Sequence, residues 1–65
     1  MERCPVCQLP LATLLDFRRH HQAIQSQPAH AQALWSLLGI DYTQLQAEER
    51  DEALARAQAR GWRVH

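Results

Sequence analysis

Apolar residues recur at helical spacing in the first half of the chain. Leu14, Phe17, His20, His21 and Ile24 follow steps of three and four, which places them on one face of a helix starting near Ala12 or Thr13. Thr13 is a candidate N-cap, and Asp16 three residues later is the other half of a weak capping box. Pro28 sets the expected end near Gln27, because the residue before a proline is pushed out of the helical region. Ahead of this helix, Cys4-Pro5-Val6-Cys7 reads as a compact turn, and Pro10 argues against a helix over residues 8–11.

Ala31, Leu34, Trp35 and Leu38 give the apolar face of a second helix over residues 29–38, with Gly39 placed to close it. Asp41 or Thr43 starts a short turn. Residues 47–60 read as a third helix from propensity, being rich in Ala, Glu, Arg and Leu. Glu48, Glu49, Asp51 and Glu52 come early in it and Arg56 and Arg60 late, the order that complements the helix dipole. A stable, solvated helix accounts for that order. Gly61 is the stop, after which residues 62–65 are expected to fold back as a short extended tail. There is no repeat and no Gly/Ser linker.

Length changes how this pattern must be read. A chain of 65 residues hides only about 60% of its open-chain surface on folding. Ten of its thirty hydrophobic residues are alanine, which thins the core further. Chains of this size are often held by disulfides, a metal or a partner chain. Large enzyme folds are excluded. Seven Arg balance seven acidic residues and there is no Lys, so the chain as a whole exerts no strong pull on nucleic acid or acidic membrane. No run approaches a membrane span. Glu2, Cys4 and Pro5 interrupt any signal-peptide pattern. The expectation is therefore an intracellular, cytoplasmic protein with no membrane partner. In that setting two cysteines two residues apart form a metal or redox site more often than a disulfide.

Cys4 and Cys7 with His20 give C-x2-C-x12-H. Thiolate and imidazole are the donors a tetrahedral zinc takes. Two cysteines in one tight turn can both point inward, and a histidine on the next helix can meet them from the far side. His21 shares the helix face with His20 and competes with it; the zinc-ligand spacing favours His20. The fourth ligand is His30, with His21, His65 and water as the alternatives.

The apolar residues between the ligands extend the pattern. Leu11 follows Cys7 after three residues, Phe17 follows after five more, and His20 after two more. From Cys4 to His20 the chain resembles the ββα zinc fingers of the two-cysteine, two-histidine type. The resemblance implies a small core of Leu11 and Phe17 and a structural zinc. It breaks after His20. The family's second histidine follows the first after three to five residues, and those positions here are Ile24, Gln25 and Ser26. His30 follows His20 after nine intervening residues, just past Pro28, so a helix break near Gln27 must return it to the metal.

The fold expected is mostly α: one zinc-binding domain over 1–65, with a finger-like unit over about 1–30 and two packed helices over about 31–65. Four protein ligands make the zinc structural, and with no general base beyond Asp16 near the site the chain is not expected to be an enzyme, nor to take a small-molecule substrate. The finger resemblance implies a binding module for DNA or RNA, carried by Arg18 and Arg19 on the exposed helix face. Arg56, Arg60 and Arg63 would enlarge that basic face if the third helix folds back. The alternative is a module for a protein partner or a homodimer, using exposed Leu37 and Trp62.

Overall fold

Thr13 and Asp16 form the reciprocal box that their spacing predicts. The Asp16 amide donates to Thr13 Oγ1 at 3.2 Å, and the Thr13 amide donates to Asp16 Oδ2 at 3.2 Å. They open helix α1, Leu14–Ile24, in a computed structural model that describes residues 2–65. Leu14, Phe17, His20, His21 and Ile24 are its buried residues, the same face the periodicity marks. The helix stops at Ile24 rather than near Gln27. Gln25 is its C-cap, and the Gln27 amide turns back to the Ile24 carbonyl at 2.8 Å.

Before α1, strand β1, Glu2–Arg3, pairs antiparallel with strand β2, Pro10–Leu11, in the register Glu2↔Leu11 and Arg3↔Pro10. Two-residue strands do not hold a hairpin by themselves. The turn between them helps: the Cys4 amide donates to the Leu9 carbonyl at 3.0 Å and the Gln8 amide to the Cys4 carbonyl at 2.9 Å. Gln8 sits at φ 66°, a left-handed conformation unusual for a residue with a side chain. Leu11 anchors the other end, almost fully buried.

Helix α2, Pro28–Ser36, starts with proline in its first turn, where the missing N–H costs nothing. It closes a little earlier than the predicted residue 38. The Gly39 amide donates to the Ser36 carbonyl and the Ile40 amide to the Trp35 carbonyl, with Gly39 at φ 72°. This paired closure uses the left-handed residue that glycine adopts without strain. Two 3-10 turns follow, Tyr42–Gln44 and Ala47–Glu49. The second runs into helix α3, Arg50–Ala59, so the helix expected over 47–60 begins with a tighter turn. Gly61 closes α3 in the same paired manner, with Trp62 donating to the Ala57 carbonyl at 3.1 Å.

The tail then folds back onto α1. The amides of Leu14 and Leu15, the first two of that helix, donate to the carbonyls of Arg63 at 2.7 Å and Val64 at 3.0 Å. Helix N-termini leave such donors without intrahelical partners, and here a distant segment supplies them. The fold is mostly helical, with a core of Phe17, Leu34, Trp35, Leu38 and Leu54 where the three helices meet. Phe17 packs edge-on against Trp35, with ring centroids 4.9 Å apart, and against Trp62 at 6.2 Å.

Candidate metal centre

Three elements bring four donors together. Cys4 follows β1, and Cys7 sits in the turn beyond it. His20 lies on the buried face of α1, and His30 in the first turn of α2. The early stop of α1 and the Pro28 start of α2 put His30 back beside the hairpin. The nine-residue gap that departs from the finger spacing is thus spanned by a helix–helix corner.

Cys4 Sγ lies 3.2 Å from His30 Nε2, and Cys7 Sγ lies 3.3 Å from His20 Nε2. All four donor atoms lie within 4.8 Å of one another. Zinc–sulfur and zinc–nitrogen bonds imply a tetrahedron with ligand–ligand edges of about 3.3–3.8 Å. The donor set fits that size and chemistry. Both cysteines are free thiols, Cys4 buried and Cys7 exposed. The His20 pKa is lowered, first by burial and then by the facing His30, which favours the neutral imidazole a metal needs.

His21 does not join the cluster. Its Nδ1 accepts a hydrogen bond from Trp35 Nε1 at 3.1 Å, and its ring lies edge-on to Trp35 and Tyr42. Burial, and secondarily the charge of Arg50, lower its pKa as well. Its Nε2 is buried and meets no partner among the described residues; an unmade bond of that kind costs about 1–3 kcal/mol. His65, the other alternative ligand, is exposed on the tail, outside the group of four.

Arg18 and Arg19 both lie exposed on α1. Arg18 is paired with Asp51 at the start of α3. Of the arginines further along the chain, Arg56 pairs with Glu52 at 2.8 Å, and Arg60 donates to the Leu38 carbonyl at 3.2 Å. The acidic first turn of α3 is what α1 meets, so the folded-back helix brings a carboxylate to Arg18. Leu37 and Trp62 are also placed differently from an exposed patch. Both are half-buried against the core, because Trp62 swings onto Phe17 and Leu37 lies in the closing turn of α2. Among the described residues, the exposed large apolar side chains are Val6, Leu9, Leu15 and Val64.

Three features have no clear sequence signal: the left-handed Gln8, the Trp35–His21 bond, and Arg50 lying over the Tyr42 ring at 5.7 Å. Glycine at position 8 would have flagged the first. No protein-family model matches the chain, and no curated protein or solved structure is significantly similar to it. No helix among the described residues is long and apolar enough to cross a membrane.

Proposed function

We propose that Cys4, Cys7, His20 and His30 hold one structural zinc ion, and that the zinc-stapled chain is a binding module for a protein partner. The observation that carries this reading is the convergence of two thiols and two imidazoles from a hairpin and two helices. Bound zinc would tie those elements together; structural zinc in finger peptides contributes about 10–16 kcal/mol of apparent binding energy. The local order of a two-strand sheet followed by a helix agrees with the finger resemblance over Cys4 to His20. Four protein donors leave no position open to a substrate. Asp16, the acid on the same helix as His20, accepts from the Ala12 and Thr13 amides and is not poised as a general base.

The partner reading rests on a shallow apolar groove of about 300 Å³ between α1, α3 and the tail. Leu14, Leu15, Leu54 and Val64 line it, and Leu15 and Val64 are among the exposed apolar residues. The nucleic-acid reading keeps one specific support, the adjacent exposed Arg18 and Arg19. A phosphate approaching Arg18 meets the Asp51 carboxylate at the same place, so the protein partner, or a second copy of this chain, is preferred.

Metal analysis of the purified chain should find one zinc per molecule. Cys4→Ser should release it and abolish cooperative unfolding followed by far-UV circular dichroism; a variant that stays folded without metal would refute the structural zinc. Leu15→Glu should abolish self-association or partner capture while leaving zinc content unchanged. Salt-sensitive binding to DNA or RNA that is lost in Arg18→Ala/Arg19→Ala would instead establish the nucleic-acid reading.

A further inference from the structure

The two thiols of the metal cluster are not equally placed. Cys4 is fully buried and belongs to the hydrophobic core. Cys7 is exposed, in the turn that follows. Each sulfur faces a different imidazole: Cys4 Sγ meets His30 Nε2, and Cys7 Sγ meets His20 Nε2. The two sulfurs still lie within 4.8 Å of one another. One thiol is therefore open to a reagent in solution, and the second is held close to it behind protein. An exposed cysteine with a second cysteine beside it is the arrangement in which oxidation of the first ends in a disulfide.

We propose that Cys7 is an oxidation site for hydrogen peroxide and Cys4 its resolving thiol, so that peroxide converts the pair into a Cys4–Cys7 disulfide and frees the zinc. The proposal rests on the structural zinc proposed above, whose sulfur ligands are thiolates. In the first step the Cys7 thiolate attacks one peroxide oxygen. An S–O bond forms, the O–O bond breaks and hydroxide leaves, and the sulfur is oxidised by two electrons to a sulfenic acid. In the second step the Cys4 thiolate attacks the Cys7 sulfur. The S–S bond forms, the S–O bond breaks and a second hydroxide leaves. Two thiolates and one hydrogen peroxide thus give one disulfide and two hydroxides.

This disulfide does not replace the metal as a staple. It joins two residues of one turn, whereas zinc joins that turn to His20 of α1 and His30 of α2. So short a covalent loop restricts the unfolded chain little. Oxidation exchanges a link among three elements for a link within one, and in a chain of 65 residues with a thin core that exchange reaches the whole fold. Peroxide acts on the fold as a chelator would, except that a reductant reverses it.

Zinc content of the full chain is measured before treatment, which separates failure of the metal reading from failure of this one. Hydrogen peroxide is then added. Zinc release is followed with a metal-indicator dye, helicity by far-UV circular dichroism, and the cysteines by mass spectrometry. The expected result is release of the bound zinc with one intramolecular disulfide and a loss of helicity, all reversed by dithiothreitol and added zinc. With dimedone present, the sulfenic acid adduct is expected on Cys7 and not on Cys4. Cys7→His keeps four donors and should lose its zinc to peroxide at least about tenfold more slowly, because the remaining thiolate is buried. The dimedone result needs no variant, and it decides the order of attack even if the histidine variant binds no metal. Peroxide that fully oxidises the unfolded, metal-free chain yet leaves zinc in the native chain would overturn the proposal. So would release with sulfinic or sulfonic acids and no disulfide, an adduct on Cys4, or an undiminished rate in zinc-loaded Cys7→His.

Discussion

Replacing Gln8 with glycine should stabilise this protein. Gln8 occupies φ 66° in the turn that carries both cysteines. A left-handed residue with a side chain costs about 1–2 kcal/mol through the clash of Cβ with the following carbonyl. Glycine removes that clash but gives the unfolded chain more freedom, an offset of about 0.4–1 kcal/mol. The bonds the residue makes are all through its backbone: its amide to the Cys4 carbonyl, and its carbonyl accepting from Arg3 Nη1 at 3.3 Å. Nothing in the side chain is therefore lost. The net expectation for Gln8→Gly is a gain of about 0.5–1 kcal/mol, or about 3–6 °C in Tm for a domain of this size. Gln8→Val should do the opposite, since a β-branched residue tolerates this conformation worst. The assay is thermal unfolding of the zinc-loaded variants, with zinc affinity by competition against a chelator. Because the turn holds Cys4 and Cys7, the glycine variant should also bind zinc several-fold more tightly. A glycine variant no more stable than the parent, with valine equally stable, would refute the strain argument.

Thr13→Ala removes the side-chain acceptor of the Asp16 amide and should cost about 1 kcal/mol, visible as a lower thermal midpoint. Trp35→Phe keeps most of the apolar volume but deprives buried His21 Nδ1 of its donor; a loss of about 1–3 kcal/mol is expected in urea unfolding, more than the volume change alone would cause. Stability should fall with acid. His20 and His21 have lowered pKa values when folded, so the unfolded chain takes up more protons as pH drops through about 6.5. Their contribution is complete above that value and is lost as pH falls through the folded values, and protons competing for the metal ligands act in the same direction. Denaturation midpoints that stay level between pH 7.5 and 5 would contradict the burial of these two rings.

The elements that could be read from the sequence are those whose signals are local. The buried face of α1, its Thr13–Asp16 box and the glycine closures at Gly39 and Gly61 each depend on residues within a turn or two. Cys4, Cys7 and His20 belong to this group, because one hairpin and one helix start fix their separation. His30 is different. Its place beside Cys4 depends on where α1 ends and on how α2 packs, which no single residue announces. The choice between His20 and His21 is harder still, since both lie on the buried face; Trp35, fourteen residues on, engages His21. The tail carbonyls that close the start of α1 are backbone atoms and carry no residue signature at all. The pairing of Arg18 has an electrostatic reason: the acidic residues that suit the N-terminus of α3 also attract it.

The docking of the tail on α1 has a consequence for synthesis. Chains usually acquire structure from the N-terminal side as they leave the ribosome. Here the amides of Leu14 and Leu15 obtain their acceptors from Arg63 and Val64, which are made long after them. On a nascent chain the Thr13 box can form, but the first turn of α1 stays partly unclosed, and with it one of the helices that would present a zinc ligand. The first turn of α1 is therefore fully closed only after residues 63 and 64 are made, and amide exchange at Leu14 and Leu15 would report that closure.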